Sequence, residues 1–186
     1  VNVSTKGFRI SVLGATAAAA LVWAGSWQRA AAAPEKREAS SRAQADVLVS
    51  GWHAAASKAD EAAYFGAMTE HAVFLGTDKT ERWDKKAFQT YAHPHFAKGK
   101  GWSFAPRERH WAFSGDGRTA WWDELLDSEH LGVCRGSGVA VREGAAWKIA
   151  HYDLAMTVPN DLANDLVAWT RALEKDGTKP PRSPAP

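Results

Sequence analysis

The sequence predicts an α+β domain in which helices come first and an antiparallel sheet follows. Residues 131–158 form two stretches rich in β-branched and aromatic residues, joined at Glu143-Gly144-Ala145-Ala146 as in a long hairpin. Upstream, apolar residues recur at helical spacing in three segments between about residues 41 and 93. Because one face of a long hairpin has to be covered, we expect these helices to pack on the sheet.

Residues 1–33 are predicted to be an export signal. Two basic residues precede the uncharged, alanine-rich run Ile10–Ala24, and the small residues Ala30–Ala33 follow. A basic region, an apolar region and a small-residue site in this order predict cleavage after Ala32 and a periplasmic or secreted protein. We expect no stable membrane association after cleavage. The alternative is an uncleaved inner-membrane anchor, since residues 10–28 carry no charge.

The rest of the chain divides by composition. Residues 34–42 are polar and are predicted to be a linker, and residues 43–176 are predicted to be the folded domain with its C-terminal helix. Residues 177–186 are predicted to be a disordered tail, because four of them are prolines.

Each element of the domain has its own sequence pattern. In the first helix Leu48, Trp52 and Ala55 share one face, Asp84 is placed to cap the third helix, and Pro94 is expected to end it. The last helix carries an apolar stripe at helical spacing. The predicted elements are a helix from about Ser41, a helix Asp60–Met68, a strand Ala72–Leu75, a helix from Lys85 to about His93, four strands Trp102–Phe113, Arg118–Leu126, Leu131–Arg142 and Trp147–Val158, and a helix from Asn160 to Gly177.

The turns between the four long strands predict which side chains share a face. We expect Phe113 to pair with Arg118, Leu126 with Leu131, and Arg142 with Trp147, and paired residues point to the same side of a sheet. The face with the larger apolar groups is expected to lie under the helices. That face is predicted to hold Trp111, Phe113, Trp122, Leu126, Val133, Val139, Val141, Leu154 and Met156, together with Arg107, Arg109, Glu124, Arg135, Ser137 and Tyr152.

An apolar wall with a few converging polar groups is typical of a ligand cavity. Guanidinium groups pair with carboxylates, so a ligand with an acidic or strongly polar head is expected, its apolar body lying against Trp122 and Met156. Glu124 is the candidate general base, with Tyr152 beside it. The alternative is a structural ion pair among Arg107, Glu124 and Arg135. The predicted ligand-binding residues are Arg107, Arg109, Trp122, Arg135, Ser137 and Met156.

Other functional classes find little support. Without residues 1–33 the chain has 20 basic and 21 acidic side chains, which gives no electrostatic reason to bind nucleic acid. The single cysteine, Cys134, excludes an intrachain disulfide. His93 and His95 are half of a metal site, so we expect neither metal nor cofactor. His151 and Asp153 are predicted to face away from the helices.

The chain resembles the SnoaL-like domains of the nuclear transport factor 2-like superfamily over about residues 43–160. The resemblance rests on Trp52-His53, Asp60-x-x-x-Tyr64-Phe65, Phe74-Leu75-Gly76-Thr77-Asp78, Glu81-Arg82-Trp83, Trp122-Asp123-Glu124, Arg135-Gly136-Ser137-Gly138 and Trp147-Lys148-Ile149-Ala150-His151-Tyr152. It implies a cone-shaped curved antiparallel sheet covered by the N-terminal helices. It also implies a homodimer, often through the outer sheet face, where the small residues Gly136, Gly138 and Ala140 are expected.

Enzymes of that superfamily, such as polyketide cyclases, dehydratases and a steroid isomerase, use an Asp or an Asp-His pair inside the cone. This chain has Glu124 at the corresponding place, and the sequence predicts no Asp-His pair on its face. The sequence therefore predicts an exported protein that binds a small organic ligand without an established reaction. The alternatives are a cofactor-free lyase, isomerase or cyclase with Glu124 as base, and a structural homodimerisation module.

Overall fold

The computed structural model describes the backbone of residues 17–177 and the side chains of residues 35–175 and 177. Most of the predicted export signal and nearly all of the predicted tail therefore lie outside the described residues. The chain divides into two compact units, Val1–Ala43 and Gln44–Pro186. The second unit begins next to the predicted domain start at residue 43.

Four helices and six strands make up the described chain. The helices are α1 (Ala17–Ser57), α2 (Glu61–Gly66), α3 (Lys85–Phe96) and α4 (Ala163–Asp176), the last preceded by a 3₁₀ turn, Asn160–Leu162. The strands are β1 (Met68–Leu75), β2 (Arg82–Asp84), β3 (Ala105–Phe113), β4 (Thr119–Ser128), β5 (Gly132–Glu143) and β6 (Ala146–Met156). The α+β class, with helices before the sheet and one helix after it, is confirmed.

The six strands form one sheet in the order β2-β1-β6-β5-β4-β3. The meander from β3 to β6 is antiparallel throughout, as predicted. The prediction of an antiparallel sheet was incomplete, because β1 joins the free edge of β6 in parallel and short β2 pairs with β1. The crossover between β1 and β6 therefore contains β2, α3 and the first three strands of the meander.

The linker predicted at residues 34–42 is wrong, because α1 continues through it. Its Glu, Lys, Arg and Ala residues are strong helix formers, so a polar composition did not mean an irregular chain. Within the second unit, the buried face of α1 holds Ala45, Val49, Trp52, His53 and Ala56. Of the predicted face, Trp52 and Ala55 are buried and Leu48 is partly buried against the core, but the prediction omitted Val49, His53 and Ala56.

Aspartates cap the two short helices that follow. Asp60 accepts a hydrogen bond from the backbone of Ala63, and Asp84 accepts one from Ala87 at 2.7 Å. The prediction that Pro94 ends α3 was wrong, since the helix runs to Phe96. A proline this near the helix end removes a single backbone donor, and burial of Phe96 outweighs that loss.

The predicted pairing of β3 with β4 was wrong by two residues, since Phe113 lies opposite Ala120, and this even shift leaves the faces unchanged. The predicted pairing of β4 with β5 was wrong by three residues. Leu126 lies opposite Cys134, and Ser128 opposite Gly132, so the strands run further before they turn. The Ser128 hydroxyl accepts a hydrogen bond from the Leu131 backbone, and Gly132 takes a positive φ of 70°. A three-residue loop followed by a left-handed glycine is a common hairpin connection. Because three is odd, every side chain of β5 moves to the opposite face from the one predicted.

The pairing of β5 with β6 begins as predicted and then shifts. Arg142 lies opposite Trp147, but a bulge follows Ile149, and beyond it Gly138 lies opposite Tyr152 and Gly136 opposite Leu154. The extra residue in β6 reverses the alternation of its side chains. The two shifts cancel, so Tyr152 and Leu154 lie on the same face as Trp122 and Glu124, as predicted.

The inner face of the sheet, defined here as the face that packs under the helices, is almost completely buried. The small residues Gly136, Gly138 and Ala140 were expected on the outer face, where they would have allowed close packing in a homodimer. That placement is wrong, because all three lie on the inner face. The inner face holds Arg109, Trp111, Ala120, Trp122, Glu124, Leu126, Cys134, Gly136, Gly138, Ala140, Trp147, Ile149, Tyr152 and Leu154. Arg135, Ser137, Val139, His151 and Asp153 lie on the outer face.

Two inner-face glycines make room for large rings. A methyl group on Gly138 would lie 2.4 Å from the Trp122 ring, and one on Gly136 would lie 2.1 Å from the Tyr152 hydroxyl oxygen. Carbon atoms cannot approach this closely without displacing their neighbours. The pattern Gly136-x-Gly138 therefore positions Trp122 and Tyr152 on the sheet.

Helix α4 follows the sheet and ends as predicted at Gly177, whose φ is 62°. The apolar stripe of α4 and of the turn before it is exposed. Its four members, Leu162, Leu166, Trp169 and Leu173, are between 41 % and 51 % accessible. Among the described residues, no helical segment combines the length and the apolar character that crossing a bilayer requires.

Candidate functional site

A buried carboxylate, Glu124, lies at the centre of the inner face. It points from the middle of β4 and is 0 % exposed. Its neighbour across the sheet is Gly136, which leaves space above the strand for other side chains to reach it. A carboxylate this deep needs charged or hydrogen-bonding partners, and the surrounding elements provide them.

Arg109 from β3 binds one oxygen of this carboxylate. Its Nε and Nη2 atoms donate to Glu124 Oε2 at 2.9 and 2.7 Å. The remaining Nη1 donates to Ser50 and Asp46 of α1, at 3.1 and 3.4 Å. Asp46 also accepts a hydrogen bond from the Trp111 indole at 2.8 Å. Arg109 therefore links the sheet to the helix above it.

The other oxygen, Oε1, has three neighbours. His53 Nε2 from α1 lies 2.8 Å away. The Trp122 indole of β4 and the Tyr152 hydroxyl of β6 each donate a hydrogen bond to Oε1 at 3.3 Å. Both oxygens of Glu124 are thus surrounded by donors. The structural ion pair expected among Arg107, Glu124 and Arg135 is not the one observed, because Glu124 pairs with Arg109 and His53 instead.

The charges in this cluster keep Glu124 ionised. Burial by itself would raise the pKa of Glu124, but the hydrogen bond with His53 and the guanidinium of Arg109 lower it by more, so the pKa of Glu124 lies below its usual value. Burial, followed by the negative charge of Glu124, raises the pKa of Tyr152 well above its usual range. Tyr152 is therefore a neutral phenol.

The hydrogen bond to Glu124 also fixes the form of the His53 ring. Because an ionised carboxylate only accepts hydrogen bonds, Nε2 carries the hydrogen. In the neutral ring, Nδ1 is then the acceptor. Among the described residues, Nδ1 has no hydrogen-bond partner. A carboxylate that orients a histidine in this way prepares its free nitrogen to accept a proton.

Next to His53 lies a cavity of about 210 Å³. His53, Tyr152 and Leu154 line its inner part, and Gly76, Thr77 and Glu81 of the loop after β1 line another side. Glu124 does not line it and acts on it through His53 and Tyr152. The aromatic residues of the wall are Trp52, Tyr64, Phe74, Trp83, Phe88, Tyr91, Trp102, Phe104 and Tyr152.

The rings of this wall support one another. Trp52 stacks on Tyr64 with centroids 4.8 Å apart and meets Tyr152 edge-on at 4.6 Å. Phe74 stacks on Phe88 at 4.1 Å. Rigid, interlocked rings give a cavity whose shape does not depend on a ligand, and their flat faces favour flat apolar molecules.

The structure separates the predicted ligand-binding residues. Arg109 and Trp122 both contact Glu124, but neither lines the cavity. Arg107 lies at a bulge of β3 and is bound to Asp127 at the exposed sheet edge. Met156 lies near the end of β6, is 50 % exposed and does not line the cavity.

Arg135 and Ser137 were placed on the wrong face. The three-residue shift between β4 and β5 turns both of them to the outer side of the sheet, where Arg135 is exposed. Of the predicted catalytic pair, Tyr152 lines the cavity, whereas Glu124 lies behind it.

Sequence reasoning missed His53 as a functional residue. It belongs to the Trp52-His53 pair on which the family resemblance partly rests, and it is 8 % exposed. The sequence pattern that could have identified His53 is helical spacing: it follows Val49 by four residues and precedes Ala56 by three, which places its ring on the buried face of α1. A polar ring on such a face needs a partner, and Glu124 is that partner.

His93, one of the two residues considered for a metal site, lies away from the cavity. His93 Nδ1 lies 2.9 Å from Glu61 on the outside of α2 and α3, and both side chains are accessible. Within the part of the chain whose side chains are described, no three His, Cys, Asp or Glu residues meet as a metal site would require. Cys134 is buried on the inner face, and burial raises the pKa of its thiol.

The family match begins close to the start of the second unit and ends before α4. The family model for the SnoaL-like domain matches residues 46–159. The chain belongs to the SnoaL-like domain family. No curated protein matches the chain in sequence.

Solved structures with the nuclear transport factor 2-like, or NTF2-like, cone fold are similar to this SnoaL-like domain. An NTF2-like protein of unknown function from Pseudomonas putida has a TM-score of 0.53 at 15% identity, covering 64% of this chain and 90% of that one. A proposed scytalone dehydratase from Novosphingobium aromaticivorans has a TM-score of 0.57 at 8% identity, covering 67% and 89%. A proposed dehydratase of the NTF2-like family from Streptomyces avermitilis has a TM-score of 0.54 at 13% identity, covering 62% and 95%. At these identities the likeness concerns the fold alone.

Proposed function

We propose that this SnoaL-like domain binds a small, flat, mainly apolar organic molecule in the aromatic cavity. The observation that carries the proposal is an aromatic wall in which His53 and Tyr152 are both held by one buried carboxylate. An apolar cavity of about 150 Å³ accepts a benzene molecule, so about 210 Å³ suits a ligand of similar kind and slightly larger size.

The polar end of the ligand meets His53 and Tyr152 rather than arginines. The buried Trp52 indole and Tyr64 hydroxyl, which have no partner among the described residues, are further polar groups of the wall. Among the described residues that line the cavity there is no lysine or arginine, which removes the basis for an acidic head group. His53 presents Nδ1, and Tyr152 uses its hydrogen towards Glu124 and so presents oxygen lone pairs. A ligand hydroxyl or amine, which donates hydrogen bonds, fits these two groups.

A second candidate function is cofactor-free proton transfer, and the His53–Glu124 bond favours it. Nδ1 of His53 removes a proton from the ligand, and the positive charge that appears on the ring is stabilised by Glu124 at 2.8 Å. Arg109 keeps Glu124 ionised throughout. Glu124 is then a positioning residue and His53 the base, as an isomerase, dehydratase or cyclase would need.

The flat two-ring molecule 5-nitrobenzisoxazole tests both candidates at once. Removal of its single isoxazole C–H proton breaks the ring N–O bond and gives a coloured cyanophenolate, with no other reactant. We expect the molecule to quench the fluorescence of the cavity tryptophans on binding. We also expect catalysed ring opening that falls by about 100-fold in His53→Gln, as for loss of a general base.

The matched control is His151→Gln on the outer face of β6, which leaves both binding and rate unchanged. If the molecule neither binds nor reacts, the cavity is not a site for flat apolar ligands. If it binds but reacts equally fast with wild type and His53→Gln, the domain is a binding protein and the proton-transfer candidate is wrong.

A further inference from the structure

The cavity mouth carries a carboxylate, Glu81, with no counter-charge of its own. Glu81 lies just before β2, and its side chain folds back over Gly76, where a methyl group would lie 2.2 Å from Oε2. The Asp78 backbone donates to the same oxygen at 3.2 Å, and the Glu81 backbone carbonyl accepts from Gly76 at 2.8 Å. These contacts hold the carboxylate against the cavity, which Glu81 helps to line.

Aromatic rings surround the same region. Trp83 stacks on Tyr91 with centroids 4.9 Å apart and on Phe88 at 5.4 Å. Trp83 is half-buried and Tyr91 is 47 % exposed, so these rings are accessible at the mouth rather than sealed in the core. The face of an aromatic ring is the negative end of its quadrupole and attracts cations.

No protein cation neutralises this region within the described residues. Glu81 forms no ion pair, and neither lysine nor arginine lines the cavity. The neighbouring Lys79 is bound to Glu174 of α4 instead. Deeper in the cavity, His53 and Tyr152 present acceptors, as argued above. The wall therefore offers a carboxylate, ring faces and hydrogen-bond acceptors, which favour positive charge, while its donors without a partner in the described part of the chain, the Trp52 indole and the Tyr64 hydroxyl, are neutral groups.

The geometry points to an organic cation as the ligand: an ammonium group held by Glu81 with the rings of Trp83 and Tyr91, and an apolar body in the cavity. This inference rests on the proposed function, because it names the ligand class of the same site. It replaces the acidic head group expected from the sequence. A carboxylate beside several ring faces binds alkylammonium groups in preference to neutral groups of the same shape.

Three probes of similar size separate charge from shape. They are (4-hydroxyphenyl)trimethylammonium, its neutral isostere 4-tert-butylphenol, and the anion 4-hydroxybenzoate, each titrated calorimetrically into the full chain. We expect the cation to bind about tenfold more tightly than 4-tert-butylphenol, and the anion most weakly. In Glu81→Gln the preference for the cation disappears, while the affinity for 4-tert-butylphenol stays unchanged.

The matched control is Glu143→Gln, which removes the same charge at the exposed β5–β6 turn and keeps the preference. The amide of Glu81→Gln still accepts from the Asp78 backbone, so the loop keeps its shape. If 4-tert-butylphenol binds wild type as tightly as the cation, or if the anion binds best, the inference is wrong and the cavity remains a neutral site. If none of the three binds, the proposed function is wrong as well.

Discussion

The carboxylate of Glu124 collects side chains from α1, β3, β4 and β6 at one buried point. Because Arg109 occupies one oxygen and His53, Trp122 and Tyr152 surround the other, the carboxylate itself has no lone pair directed at the cavity. The charge of Arg109 offsets much of the desolvation of Glu124. The site therefore depends on a pair of residues that a ligand does not touch.

Removing one member of this pair is expected to destabilise the fold strongly. Arg109→Gln leaves Glu124 buried without its cation, and such a change lowers the free energy of unfolding by roughly 3–5 kcal/mol. The control is Arg107→Gln, two residues away on the same strand, whose accessible pair with Asp127 is screened by water. Urea unfolding should show a much smaller loss for Arg107→Gln, and equal losses would contradict the role of Arg109.

The same carboxylate predicts the direction of acid sensitivity. The pKa of Glu124 is lower in the folded protein than in the unfolded chain, so its stabilising effect is complete above the unfolded value of about 4.3 and is lost as the pH falls through the folded one. Unfolding of wild type and Glu124→Gln, followed as a function of pH, separates this effect from the exposed aspartates. Glu124→Gln should lose less stability between neutral and acid pH than wild type.

At the scale of elements, the order of helices and the meander were predictable because turn residues and periodicity are local. The register was not, because it depends on how far each strand runs before it turns. The extended β4, paired at Ser128 and Gly132, moved Arg135 and Ser137 to the outer face. No local sequence pattern predicted the bulge after Ile149. This bulge reverses the alternation a second time, so Tyr152 lies on the predicted face.

The helix–sheet contacts were equally hidden from local reasoning. His53 and Glu124 are 71 positions apart, and their contact needs both the buried face of α1 and the register of β4. The carboxylate was identified because it interrupts an apolar strand face. The histidine was missed because the predicted helix face was too narrow: it included Trp52 and Ala55, which are buried, but not His53 beside them.

The glycines of β5 give a direct test of the observed register. A methyl group in Gly136→Ala would meet the Tyr152 hydroxyl at 2.1 Å and Glu124 Cγ at 3.2 Å. Overpacking of this kind lowers the free energy of unfolding by about 1–3 kcal/mol, and it should also remove the Tyr152–Glu124 hydrogen bond. On the sequence-predicted register the same residue would lie on the outer face and tolerate alanine.

The control substitution is Gly51→Ala on the exposed side of α1, where nothing lies within 4 Å of the added methyl group. Alanine is the better helix former, so this variant should gain about 0.5–1 kcal/mol. Thermal and urea unfolding of both variants decide the matter. If Gly136→Ala proves as stable as wild type, Tyr152 does not approach β5 as described.

At the scale of the whole molecule, composition indicated the character of the site better than its location. Three of the 10 tryptophans, Trp52, Trp83 and Trp102, line the cavity, and two more, Trp111 and Trp122, form the inner face beside Glu124. The many tryptophans therefore belong partly to the cavity wall and partly to the core. The homodimer implied by the family stays a prediction, now without the small outer-face residues that had supported it.

Export also stays a prediction. The helical backbone of α1 indicates how the mature chain would begin. Cleavage after Ala32 leaves Pro34 and Glu35 at the start of the mature helix, where proline loses no backbone hydrogen bond and an acidic residue suits the positive end of the helix dipole. We expect the intact mass of the protein recovered from the periplasm or medium of an expressing bacterium to begin at or within a few residues of Ala33. Ala32→Lys should block processing, because a small residue is needed before the cut, whereas Ala31→Lys between the two small positions should not. A full-length mass in the membrane fraction would instead establish the uncleaved anchor.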